Sequence, residues 1–221
     1  IACEVKGFDP AAHLDYKAAR RTDRFCKFAM TAVKEAMTDS GLTINGANAE
    51  RVGVIIGSGI GGIITILDAV KVMETRGPSR IGPFAVPMLM ADIAAGQVAI
   101  TYGAKGPTHA VVAACATGTI VIGGAAMCIR HGLADAMICG GSEAAIVPIA
   151  LGGLGNVGAL AKRNDAPEKA SRPFDRDRDG FVMGEGAGIL VLERLDHALA
   201  RGAHIYGEVA GYGATADAFH I

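Results

Sequence analysis

The chain has 221 residues, 51% of them hydrophobic, and a formal net charge of −1. That much apolar sequence can bury a sizeable core, and a near-balanced charge without blocks of one sign excludes a nucleic-acid-binding tail and a disordered chain. Five cysteines, at 3, 26, 115, 128 and 139, show neither CxxC nor metal-ligand spacing, and their odd number points to a reducing compartment rather than a disulfide scaffold.

In chain order, residues 13–40 predict a helix, because Ala18, Phe25, Phe28, Ala29, Ala32, Val33, Ala36 and Met37 recur at helical spacing and Ser40-Gly41 supplies a stop. Lys17, Arg20, Arg21 and Arg24 would share one face of it, either as an ordinary solvated face or as a dock for an acidic partner. Arg51 to Gly57 is a buried strand by its β-branched content. Ser58 to Gly62 turns the chain into a helix over Ile63 to Thr75, and a glycine–proline loop leads to a second helix near Pro87 to Tyr102. Val111 to Ala114 reads as a short buried strand feeding a helix that ends near His131-Gly132, and Asp135 to Gly141 as the next strand. Beyond a polar loop, Gly188 to Glu193 is a strand, Leu195 to Arg201 a helix and Ile205 to Tyr212 a final strand. Strands alternating with helices define an α/β class with a layered, mainly buried sheet. Residues 110–129 carry no charge, but Ala, Gly and Thr dominate them, which fits a buried core segment better than a membrane span. The chain opens in mid-pattern at Ile1-Ala2-Cys3-Glu4 and stops at Phe219-His220-Ile221 without a closing helix, so the expectation is a fragment.

The stretch of most chemical interest is Val111 to Gly124. Cys115 is expected at a strand-to-helix turn, where free N–H groups and the positive end of the helix dipole favour a thiolate and can hold an oxyanion. Small neighbours, Ala114, Ala116, Thr117 and Gly118, leave room for a carbonyl. The local pattern leaves two readings open: a nucleophile that forms a thioester, or a cysteine packed as a small hydrophobe.

Two other motifs are set aside. Gly57-Ser58-Gly59-Ile60-Gly61-Gly62 fits GxGxxG between strand and helix, yet the window about twenty residues on is Gly77 to Pro83, neither strand nor acidic. Close backbone packing explains these glycines better than a dinucleotide. Asp175 to Gly180 imitates the start of a calcium loop, but its twelfth place is Gly186 instead of Glu, and Asp–Arg pairs within the loop are the better account. The six histidines show no ligand spacing. No metal is called.

Taken together, four segments resemble one family. They are Gly57 to Gly62; Ala113-Ala114-Cys115-Ala116-Thr117-Gly118; Gly140-Gly141-Ser142-Glu143-Ala144; and, most specific, Ala170-Ser171-Arg172-Pro173-Phe174-Asp175 through Asp179 to Gly188. The chain is similar over nearly all its length to the β-ketoacyl-acyl carrier protein synthases, above all the type II elongating members (ketoacyl synthase II). The resemblance implies a thiolase-like α/β/α/β/α fold of two pseudo-equivalent halves, here incomplete. Residues 1–193 would be the N-terminal half without its first strand, and 194–221 the start of the C-terminal half. Cys115 falls on the family nucleophile, while two histidines and a lysine of such enzymes would lie past Ile221. His220 resembles a segment that precedes them and is given no catalytic role.

The implied reaction is the decarboxylative condensation of acyl- and malonyl-carrier protein through an acyl-Cys115 thioester, the fragment alone being inactive. Ile60 and Leu154 would shape the acyl tunnel, and Lys17, Arg20 and Arg21 would dock acyl carrier protein. Gly158 departs from the family, standing where relatives carry an Arg of that dock. No cofactor is expected beyond the phosphopantetheine carried in by the partner, and the resemblance implies a homodimer in the bacterial cytoplasm or the plastid stroma, without nucleic acid or membrane. Alternatives are a polyketide ketosynthase, a thiolase, against which Arg172 to Gly188 stands, and a non-catalytic chain-length partner, against which Cys115 stands.

Overall fold

The computed structural model describes residues 1–219, so His220 lies outside the described residues. Its centre is a four-stranded sheet in the order β3-β2-β4-β6. Here β2 is Val52–Gly57, β3 is Thr108–His109, β4 is Ala136–Glu143 and β6 is Gly186–Glu193. β2 runs parallel to both β3 and β4, and β6 closes the sheet antiparallel to β4, with Ala136 opposite Glu193 and Glu143 opposite Gly186. Two short strands, β1 (Ala2–Cys3) and β5 (Met183–Gly184), pair separately.

Alternation along β2 and β4 builds three layers. Val52, Val54, Ile56, Ala136 and Ile138 face α2 (Arg24–Ser40) and α5 (Ile93–Tyr102), joining Phe25, Phe28, Ala29, Val33 and Val98 in one buried cluster. Ile55, Met137 and Cys139 face the other way, onto Val121 and Ala125 of α6 (Thr117–Arg130). Both faces of β2 are covered, which is why its sequence is an unbroken apolar run rather than an alternating one. The remaining helices, in chain order, are α1 (Tyr16–Arg20), α3 (Ile63–Arg76), α4 (Ala85–Leu89), α7 (Pro148–Asn156) and α8 (Leu195–Ala200). Among the described residues no helix is long and apolar enough to cross a membrane, and 110–129 folds as a turn leading into α6.

Several expectations need correction. The single helix over 13–40 is two, α1 and α2, broken at Arg21 to Asp23. Asp23 is drawn away from the helix it precedes: its Oδ2 accepts from the N–H and the hydroxyl of Thr65 on α3, at 2.8 and 2.6 Å. The basic row is split as a result. Arg24 turns inward to the buried Glu185 at 2.7 Å and also donates to the Val5 carbonyl. The helix near Pro87 to Tyr102 is likewise two, α4 and α5. Gly62 donates to the Leu89 carbonyl, and a Cβ there would lie 2.3 Å from the Met88 oxygen, so the backbone of the Gly61-Gly62 turn occupies the space a continuous helix would need.

Ile205 to Tyr212 joins no sheet. It lies across α6, where Arg130 donates to the carbonyls of Val209 and Ala210 and the Tyr212 ring covers Gly123. α7 is a helix that the sequence pattern does not predict; its Pro148 stands at the first helical position, where a missing N–H needs no partner. At the Asp175 loop, Arg172 pairs with Asp175 at 2.9 Å and Arg176 with Asp177 at 3.5 Å, the Asp–Arg pairing expected there, whereas Asp179 accepts from the backbone N–H of Lys162 outside the loop.

Candidate active site

Val111 to Ala114 is not a strand, because β3 ends at His109 and the chain then tightens into a 3-10 turn over Ala114 to Ala116. Ala114 takes φ 46, a left-handed conformation that a residue with a Cβ adopts at a cost of about 1–3 kcal/mol. Thr117, buried at the start of α6, holds the turn in that state. Its hydroxyl donates to the Ala114 carbonyl at 2.7 Å and accepts from the Ala113 N–H at 2.9 Å. Between these residues the Cys115 side chain is exposed, two positions ahead of the first residue of α6. Among the described residues nothing packs Cys115 as a small hydrophobe. Cys26 and Cys139 do occupy the interior, and burial pushes both thiols up to about 12.

The floor beneath the turn is made of glycine. A Cβ on Gly57 would stand 2.3 Å from Thr117 Cγ2 and 2.5 Å from the Val111 carbonyl oxygen, and one on Gly59 would stand 3.5 Å from the Ala114 oxygen. Gly141, opposite Gly57 in β4, faces Gly118 of α6. The GxGxxG stretch therefore serves close packing of one turn on another.

Glu143, the last residue of β4, completes this floor. Its Oε2 accepts from the N–H groups of Gly59 at 2.8 Å and Ile60 at 3.2 Å, and its Oε1 from the Ser58 hydroxyl at 3.1 Å. Ser58 in turn accepts from the Gly61 N–H at 2.9 Å. Burial pushes the Glu143 carboxyl above the usual range, while the donors of Ser58, Gly59, Ala144 and Ile60 pull the other way. Sequence reasoning gave Glu143, Ser58 and Thr117 no role. The signal was there for Glu143: it is the single charged residue between Asp135 and Lys162.

The other expected site residues are dispersed. Ile60 stands beside Gly59 in the turn that abuts Ala114, with its side chain partly open to solvent. Leu154 is half-buried on α7 and belongs to neither packed cluster. Lys17 and Arg20 are exposed on α1, Arg20 bonding the Tyr16 hydroxyl, and Arg21 caps that helix with its guanidinium 4.4 Å above the Phe84 ring. Gly158 has φ 78, a conformation that disfavours any larger side chain there. Among the described residues no three His, Cys, Asp or Glu side chains gather as metal ligands.

Residues 2–198 match the family model described as "Beta-ketoacyl synthase, N-terminal domain". The chain is 54% identical over 218 residues to the 3-oxoacyl-[acyl-carrier-protein] synthase 2 of Synechocystis sp., covering 99% of itself and 52% of that protein. Identically named proteins of Coxiella burnetii and Staphylococcus aureus are 52% and 54% identical over 221 residues, with 53% of each covered. Among solved structures, a β-ketoacyl synthase from Burkholderia phymatum superposes with TM-score 0.88 at 32% identity, over 99% of this chain and 54% of that one. A type II PKS acyl-carrier protein in complex with its ketosynthase, bound to the hexaketide, gives TM-score 0.84 at 34% identity, over 93% and 52% of the two chains. The chain thus spans about half the length of the curated relatives it matches.

Proposed function

The chain belongs to the β-ketoacyl synthase family, and from that premise we propose that the intact protein elongates fatty acyl chains by decarboxylative condensation on Cys115. The observation that carries this reading is the exposed Cys115 thiol, held at the mouth of α6 by a left-handed Ala114 and the Thr117 hydroxyl. A thiolate is both a good nucleophile and a good leaving group, so one atom serves both halves of the reaction.

In the first half, the Cys115 sulfur attacks the thioester carbonyl of an acyl chain delivered on carrier-protein phosphopantetheine. A new carbon–sulfur bond forms, the old one breaks, and the carrier thiolate leaves and takes a proton. In the second half, malonyl-carrier protein loses CO2. The electron pair left on carbon attacks the acyl-Cys115 carbonyl, and the Cys115 thiolate is released as the β-ketoacyl product departs. The N–H groups that open α6 would stabilise the oxyanion of both tetrahedral intermediates. Ile60, beside the nucleophile turn, and Leu154 would bound the acyl chain.

Acyl carrier protein is the partner proposed, docking on Lys17, Arg20 and Arg21. These exposed cations suit an acidic surface, and a relative's structure holds an acyl-carrier protein. A homodimer is the assembly, and five free thiols fit a reducing compartment, the bacterial cytoplasm or plastid stroma. The elongating reading is preferred to polyketide synthesis because three relatives named 3-oxoacyl-[acyl-carrier-protein] synthase 2 are 52–54% identical, against 34% for the polyketide ketosynthase.

The test is to incubate the intact protein with an acyl-carrier-protein thioester and map the modified residue by mass spectrometry. The acyl mass is expected on Cys115. Acyl transfer to another residue, or none at all, would overturn the proposal.

A further inference from the structure

Glu143 does nothing in the reaction as written above, yet it is the most heavily bonded carboxylate near the nucleophile. It is a poor structural choice on energetic grounds. Among the described residues no cation is bonded to it; the Ser58 hydroxyl and the N–H groups of Gly59 and Ile60 donate to its oxygens. A half-buried carboxylate held by dipoles alone is partly stripped of water with no opposite charge to offset the loss. What it provides is fixed geometry. Three donors converge on two oxygens, so the Ser58 to Gly61 turn has one position relative to the end of β4. The missing Cβ of Gly59 lets that turn close: its place lies 2.8 Å from Glu143 Oε2 on one side and 3.5 Å from the Ala114 oxygen on the other. Ala114, in its left-handed state, immediately precedes Cys115.

We propose that Glu143 is a positioning residue: by clamping the Ser58 to Gly61 turn beneath Ala114, it sets where the Cys115 sulfur meets a thioester carbonyl. The same clamp holds the N–H of Ile60, the residue after Gly59, and so fixes the backbone that carries this partly exposed apolar side chain. A glutamine at this place keeps the volume but loses the charge, and its N–H2 group either faces the Gly59 and Ile60 donors or requires the Ser58 hydroxyl, already accepting from Gly61, to reverse its direction and accept a second bond. An aspartate keeps the charge and the acceptors but shortens their reach. The inference rests on the reading of Cys115 as the acylated thiol.

The test compares wild type, Glu143→Gln, Glu143→Asp and Ser58→Ala in the intact protein. Unfolded material is first removed by size-exclusion chromatography, and rates of Cys115 acylation by hexanoyl- and myristoyl-carrier protein are measured per Cys115 thiol titrated with iodoacetamide, the alkylated residue being identified by mass spectrometry. Glu143→Gln is expected to lower kcat at least about tenfold, the scale of a misplacement below an ångström, with KM for the carrier protein unchanged. The hexanoyl-to-myristoyl ratio is expected to shift, Glu143→Asp to recover part of the rate, and Ser58→Ala to lose less than Glu143→Gln. If Glu143→Gln fails to fold, Ser58→Ala carries the same comparison, since it removes one donor and leaves the carboxylate. Wild-type kcat and chain-length ratio per titrated thiol in the variant would overturn the inference and leave the proposed function standing. Absence of acylation at Cys115 in the wild type would instead overturn the proposed function, and this inference with it.

Discussion

The two ends of β4 carry the same kind of group in opposite surroundings. Asp135, just before the strand, is paired with Arg51 at 2.9 Å and with Arg194, and the Arg51 hydrogen bonds hold its carboxyl below the usual range. Glu143, closing the strand, has dipoles for partners and a carboxyl raised by burial. One end is a fastening, where opposite charges lower the energy of the fold. The other end, by our proposal, is a support, where a partly desolvated carboxylate fixes the position of a turn. Strand, sheet and neighbours are shared, so the contrast is local chemistry. It separates the part of the molecule built for cohesion from the part built around Cys115.

The contrast can be tested from both ends. At the Glu143 end, Cys115→Ala is expected to abolish acyl transfer, a loss of more than about a thousandfold, while the melting temperature stays near that of the wild type because the side chain is exposed. Residual transfer at a substantial rate would place the chemistry elsewhere. Gly57→Ala should be costly in both respects. Its Cβ would meet the Val111 backbone at 2.5 Å, which cannot rotate away, so stability drops by about 2 kcal/mol and acylation slows as the turn is displaced. Chemical denaturation and single-turnover acylation would read the two effects.

At the Asp135 end, Asp135→Asn should lower the melting temperature by about 3 °C and leave acylation per titrated thiol unchanged, since ion pairs still open to solvent on one side contribute modestly. The smallest effect is in pH dependence, and its sign differs between the ends. The folded-state pKa of Asp135 is depressed, so its contribution is complete above the ordinary carboxylate range and fades as pH falls through the folded value. That of Glu143 is raised, so its contribution is present at acid pH and lost as pH rises through the folded value. Melting temperatures measured across pH should show Asp135→Asn flattening the acid limb. Glu143→Gln should flatten the decline on the way to neutrality.

How much of this was legible in sequence follows from how local each determinant is. β2 could be read from its own β-branched residues, and α3, β4, β6 and α8 from their own patterns, because burial period and turn residues sit within each element. Cys115 ahead of a helix was legible for the same reason. Most of the failures depend on distant partners. Asp23 breaks a helix because Thr65, forty-two positions away, requires its carboxylate. Val111 to Ala114 leaves the sheet because the next turn is locked by Thr117 against Gly57. Ile205 to Tyr212 has strand composition but meets the side of α6. Glu143 was visible as an isolated charge, but its purpose exists only where the turn after β2 closes over it.

The contact between Asp23 and Thr65 bears on the order of assembly. The first turn of α3 has no capping side chain of its own, Gly62 standing at that place, and one of its orphan N–H groups is satisfied by a carboxylate from the start of another helix. A peptide of residues 63–76 alone should therefore fray at its beginning. In the folding chain, that turn becomes rigid only after α2 has settled on the sheet, making it a late-forming piece rather than a nucleus.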